Sequence, residues 1–223
     1  MRCSRPGTTS PPKRCRSSEA GSRRGSRAPR RRTELLAAVL SHALTATAIA
    51  AVLRPTKRPP ARYWVAAAAI AVVPDVDISF VWMGARYRGM FGHRGITHSV
   101  AFAVAASAAL LFFLFRNDPP DFRARAGAAL LLAGLSHGFL DASMASGVGV
   151  AVLAPFSATR YHSLFRPIRV TPPTGNPWLD PGGIRVTNSE IAWLWIPSLA
   201  VIFAALRLRR PAGRPNTTGK PAA

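Results

Sequence analysis

The sequence predicts an all-α protein, a polytopic transmembrane helical bundle preceded by a disordered basic tail. Hydrophobic residues make up 48% of the 223 residues and charged ones only 17%, whereas a soluble domain carries about 25% charge. The apolar residues fall in long blocks instead of alternating with polar faces every 3.6 residues. The ionisable side chains inside those blocks are all His or Asp.

Taken in order, residues 1–33 come first. The first 32 hold eleven Lys/Arg and one Glu, with Pro, Ser and Gly between them and no apolar run. Such a segment cannot bury enough surface to fold and is expected to be disordered. It supplies much of the net charge of +21, so the basicity belongs to the tail. A solvated tail on the cytoplasmic side is the plainer reading, and no specific nucleic-acid partner is expected. A start near Val39 is a second reading. Arg31-Arg32 before Leu35-Leu36 loosely mimics a twin-arginine signal, but cleavage there would discard His42. Cys3 and Cys15 are the only cysteines, so any metal in the body must be held by His and carboxylates.

The body, residues 34–210, opens with Leu35–Leu53, 19 residues without a charge. Tyr63–Trp82 has 20 residues, interrupted late by Pro74, Asp75 and Asp77. Ser99–Phe115 has 17, Ala126–Pro155 has 30 with one charge, and Ile191–Leu206 has 16. A crossing needs about 20 apolar residues. Five spans are therefore expected, or four plus a re-entrant segment. Phe156–Glu190 reads as a long interfacial loop without helical pattern, and a loop of that length is usually functional or disordered. Residues 211–223 read as a disordered tail.

All five histidines, His42, His93, His98, His137 and His162, lie in or beside the blocks, with Asp75, Asp77 and Asp141. Ionisable groups in a bilayer are costly and mark functional sites by default. A lone His there is as often a packing residue, but five alternating spans put every one of these groups on the same side as the N-terminus. His137 and Asp141 are i and i+4 on one helical face, a spacing at which two side chains can share an ion. Asp75-x-Asp77 follows Pro74 where the chain leaves helix. His93-Arg94-Gly95-Ile96-Thr97-His98-Ser99 packs two imidazoles, a guanidinium and two hydroxyls into seven residues. Imidazole plus carboxylate suits zinc foremost, or manganese or iron. Arg94 could meet an oxyanion or phosphate in bidentate fashion; an interfacial anchor is the plainer alternative.

The string Phe91-Gly92-His93-Arg94-Gly95-Ile96-Thr97-His98-Ser99 is similar to the signature of the bacterial membrane-bound metal-dependent hydrolase family of the YdjM/YbcI type, also described as inner-membrane phospholipase-like hydrolases. Ser41-His42, Val73-Pro74-Asp75-Val76-Asp77, Leu135-Ser136-His137 with Asp141, and Pro155-Phe156-Ser157 through Arg166-Pro167-Ile168 resemble its other elements in the same order. The similarity covers roughly residues 36–207. Ile78 stands where many members carry His after the second Asp, and Met144 where Thr is common. The resemblance implies a metal-dependent hydrolase.

The combined expectation is a divalent ion held by some of His42, Asp75, Asp77, His93, His98, His137 and Asp141. Asp77, His98 and Arg94 are the candidate catalytic groups, and Thr97 and Ser136 would orient the imidazoles beside them. The ion would activate water against a phosphoester or acyl bond, and a site beside acyl chains makes a lipid the natural substrate. A metal or proton transporter and a non-catalytic protein with a structural ion are the rival classes; oligomeric state is open.

Overall fold

The computed structural model describes residues 30–170 and 181–208, with side chains from Val39 onward. Most of the basic tail, the Pro-rich middle of the long loop and the C-terminal tail, on which the disorder expectations fall, lie outside the described residues. Among the described residues every regular element is helical and the only ladder contacts are two isolated bridges, Met144 to Ile168 and Val150 to Tyr161. The helices are α1 (Arg30–Leu53), α2 (Ala61–Ile70), α3 (Asp77–Trp82), α4 (Val100–Phe115), α5 (Pro120–Ala142), α6 (Pro181–Glu190) and α7 (Ile196–Leu208). Helix α5 packs against α1, α2 and α4, and α1 also receives α7.

The bundle is built from small residues inside and large ones outside. Ala46 and Ala50 of α1, Ala67 and Ala71 at the end of α2, and Ala129 and Ala133 of α5 are all buried. Each pair is four residues apart, so each helix presents a stripe on which a neighbouring backbone can approach closely, the packing mode of helices in lipid. Val104, Phe112 and Phe113 of α4 and Ile196, Leu199 and Phe203 of α7 point outward. Meanwhile His42, Asp77, Arg94, His98, His137 and Asp141 are buried. Large apolar groups outside and charged groups inside is the arrangement that hydrocarbon favours and water does not. Tyr63 ties α2 to α1 by donating its hydroxyl to the Ala50 carbonyl at 2.9 Å.

Local chemistry sets the breaks. Pro74 has no N–H to give Ile70 and its ring crowds that carbonyl, so α2 ends at Ile70. After a 3-10 turn over Val73–Val76 the chain resumes as α3, bent by 51° from α2. Ser99 caps α4 by accepting from Phe102 N at 3.1 Å, which leaves His98 just outside that helix. Pro120 fits the first turn of α5, where a missing N–H costs nothing.

Helix α1 begins at Arg30, inside the segment expected as tail, because its regular backbone extends a turn ahead of the apolar block, and three further boundaries differ from the sequence reading. The last block is longer: α6, a π-turn over Ile191–Trp195 and α7 make one 28-residue helix, Pro181–Leu208, with only 11% of its most apolar window buried. Its first ten residues were read as loop because Gly182, Gly183, Thr187 and Asn188 give no apolar stripe. The fourth block divides, since α5 ends at Ala142 and residues 143–155 are irregular. The second block is a broken pair. By length and hydropathy, one described helix can cross a membrane, or two if the bent α2–α3 pair is one crossing; Val39–Leu53 and Val100–Phe115 are shorter apolar helices.

Candidate metal centre

Four segments deliver polar groups to one end of the bundle: the first part of α1, the break after α2, residues 93–98 including Arg94, and the end of α5. At the centre, Asp75, His98, His137 and Asp141 each offer one ligand atom, all within 4.8 Å of one another. His98 Nε2 is 3.1 Å from Asp141 Oδ2 and 3.6 Å from Asp75 Oδ1. His137 Nε2 is 3.5 Å from Asp75 Oδ1 and 3.9 Å from Asp141 Oδ2. Donors about a tetrahedral zinc, at about 2.0–2.1 Å each, stand about 3.3 Å apart, so the spacing fits an ion.

The unpaired atoms make the stronger test. His98 Nε2, His137 Nε2 and Asp141 Oδ2 are buried and make no hydrogen bond of acceptable geometry, although they lie at ion-pair distance from their neighbours. Leaving a buried polar atom unpaired costs about 1–3 kcal/mol, and three of them aimed at one point are relieved together by a cation. The tautomer agrees. The break after α2 frees the Ala71 carbonyl, which accepts from His137 Nδ1 at 2.7 Å; the lone pair of neutral His137 then sits on Nε2, facing the cluster. Burial works against a charged His98 ring, but the surrounding carboxylates of Asp141, Asp75 and Asp77 outweigh it and raise its pKa well above the usual histidine value. The cluster therefore attracts positive charge.

Asp77 organises the other side of His98. Its Oδ2 lies 3.1 Å from His98 Nδ1 and accepts from Thr97 Oγ1 at 2.8 Å and from the Arg94 backbone N–H at 3.0 Å. Its Oδ1 lies 2.9 Å from His93 Nδ1. Asp77, His93 and His98 form a second group of ligand geometry, but the Asp77 oxygens are already engaged. A carboxylate holding the far nitrogen of a ligand imidazole fixes its orientation and raises its basicity.

Some expected residues fall elsewhere. His42 belongs to neither ligand group: its ring stacks on His137 at 4.0 Å and 29°, and its Nε2 faces the outer Asp141 oxygen at 3.5 Å. Ser136, expected to orient His137, donates to the Ala133 carbonyl of its own helix at 2.7 Å; Ala71 takes that part. The Arg94 guanidinium is turned inward and is not free for an oxyanion. Its Nε is 3.0 Å from Asp141 Oδ2, and its other nitrogens reach Ser146 Oγ and Met144 Sδ. His162 is exposed, beside Gly149.

Two residues outside the expected site set take part. Arg160 donates to the carbonyls of His93, Arg94, Gly149 and Gly89 at 3.1–3.3 Å. It thereby holds Arg94 at φ 61°, a left-handed conformation that costs a non-glycine residue about 1–2 kcal/mol. Buried Glu190 accepts from Ser41 Oγ at 3.0 Å, and Ser41 in turn accepts from Trp195 Nε1 at 2.8 Å. The only hint of Glu190 was a lone carboxylate at the edge of an apolar block.

The description "YdjM inner membrane protein" belongs to a family matching residues 38–212. The chain is 34% identical over 167 residues to "Inner membrane protein YbcI" of Escherichia coli (strain K12), covering 74% of this chain and 94% of that protein. No solved structure matches.

Proposed function

This chain belongs to the YdjM inner membrane protein family, and from that premise we propose that it is a multi-pass inner-membrane hydrolase that cleaves a lipid or phosphoester with a divalent metal ion. The observation that carries the reading is the buried meeting of His98 Nε2, His137 Nε2 and Asp141 Oδ2, none in a hydrogen bond of acceptable geometry, beside Asp75. A set of imidazole and carboxylate without thiolate favours zinc, with manganese and iron next. When bound, the ion supplies an activated water and polarises the phosphoryl or acyl oxygen under attack.

The chain's own residues supply the rest. Asp77 holds the His98 ring, while Thr97 and the Arg94 backbone N–H hold Asp77. The Arg94 side chain balances the charge of Asp141. Asp75 is the least buried ligand, with its side chain 16% exposed against 3% for Asp141, so water reaches the site on its side. His93, 18% exposed and bonded to Asp77, is the group placed to pass a proton between site and solvent. The reading takes α1, the α2–α3 pair, α4, α5 and the α6–α7 helix as five crossings, supported by the inside-out distribution of large side chains.

A structural ion is the second reading, favoured by the count of four protein ligands, which suits a closed site. Purified protein should contain about one divalent ion per chain, as a donor set of this kind binds one, and His137→Ala or Asp141→Ala should lose most of it while still inserting. Phosphodiesterase, phosphatase and esterase screens with and without chelator then separate the readings. Chelator-sensitive turnover supports the hydrolase. Full metal with no turnover leaves the structural ion, and full metal in both variants removes the centre itself.

A further inference from the structure

Beneath the centre runs a groove of about 440 Å³ between α1, α5 and the π-turn with α7, a size in the range of small-molecule sites. Of its twelve lining side chains only Thr45 and Ser198 are polar, and their hydroxyls lie 3.4 Å apart, close enough to satisfy each other. None of the four ligands lines it, but at its upper end each wall adjoins the site along the chain: Thr45 is one turn beyond His42, Leu140 adjoins Asp141, and Leu194 adjoins Trp195, which is bonded to Ser41. From there all three walls run the same way. The α1 wall continues from Thr45 to Leu53, the α5 wall falls from Leu140 to Leu132, and the α7 wall goes from Trp193 to Val201. Each leads away from the polar end along the apolar outer surface of the bundle, where Val52, Leu132, Trp193 and Val201 are exposed.

A polar end of imidazoles and carboxylates with an apolar groove leading from it matches a molecule with a polar head and a hydrocarbon tail. We propose that the groove holds one acyl chain of a lipid whose headgroup lies at the Asp75–His98–His137–Asp141 cluster. The inference rests on the hydrolase reading for the identity of the head end and adds the place of the tail. A free alkane would find the groove equally apolar but would gain nothing at the cluster. A lipid held at both ends is positioned with its ester or phosphoester bonds near the donors, because the carbonyl and phosphate lie where head meets tail.

The test uses the full chain in phosphatidylcholine nanodiscs containing a trace of phosphatidylglycerol with a diazirine at mid-chain, and a diazirine-bearing alkane as the comparison probe. After irradiation, adducts of the lipid probe should concentrate in Thr45–Leu53, Leu132–Leu140 and Trp193–Val201, several-fold above the outer face of α4 around Phe112 and Phe113. The alkane should show no such preference. Val201→Trp, which narrows the open side, should reduce the groove adducts several-fold, and Leu199→Trp, exposed on the same helix but outside the lining, should not. Adducts spread evenly over α4 and α7, or equal enrichment of the alkane, overturn the proposal. Absence of turnover in the screens above with lipid enrichment intact would overturn the hydrolase reading alone.

Discussion

At the scale of single residues, the centre separates atoms that converge where an ion could sit from atoms that hold them. Asp77 lies on the holding side: its oxygens serve His93, Thr97, His98 and the Arg94 backbone. Asp77→Asn keeps the shape and removes the charge that supports His98. It should weaken metal affinity by about 10–100-fold, the usual cost of losing such a partner, while Asp141→Ala should abolish stoichiometric binding. Competition with a chromogenic chelator measures both. Equal losses from the two variants would make Asp77 a ligand, as the first sequence reading had it. Arg94 illustrates the same division, since a guanidinium beside two histidines reads as an anion receptor until its Asp141 partner is seen.

At the scale of elements, the site depends on close approach of backbones. A Cβ on Gly138 of α5 would lie 2.8 Å from the His98 carbonyl oxygen, a contact that only movement of one element relieves. Gly138→Ala should therefore lower stability by about 1–3 kcal/mol, the cost of overpacking, despite the helix propensity gained from Ala. Metal affinity should fall with it, because His98 is displaced. Gly127→Ala on the same helix meets only the flexible end of Leu111, at 3.2 Å, and should be near neutral in the same thermal-unfolding measurement. A Gly138→Ala protein as stable as Gly127→Ala, with unchanged metal affinity, would show that α5 and the His98 turn are less tightly coupled than the structure describes.

At the scale of the whole molecule, the question is which way the centre faces. With five crossings, the side bearing the centre holds 18 Lys/Arg, counting the tail, and the other side 12. Positive residues favour the cytoplasm, so the centre is predicted to face inwards and the C-terminus outwards. Without residues before Val39 the balance becomes 7 against 12 and the preference reverses. Alkaline phosphatase fused after Arg210 should be active. An inactive fusion, with a fluorescent cytoplasmic reporter at the same point, would overturn either the orientation or the count of crossings.

The sequence by itself determined what depends on composition and local pattern. The all-helical class follows from long apolar blocks, the break after α2 from Pro74, and the start of α4 from Ser99. It also named the groups that reach the centre, because His and Asp are too costly in apolar blocks to be there idly. Tertiary structure alone decided which of them converge as ligands and which stand behind. His98 and His137 meet across 39 positions, and Glu190 reaches Ser41 across 149; no local periodicity encodes a distance of that kind. The α6 segment was illegible because its polar, Gly-rich sequence carries no apolar stripe, and its helix is anchored instead by the bonds of Glu190 and Trp195 to Ser41. The carbonyl that orients His137 is that of Ala71, freed by a break elsewhere in the chain. A backbone acceptor has no residue type by which a sequence could announce it, so only the fold could place it.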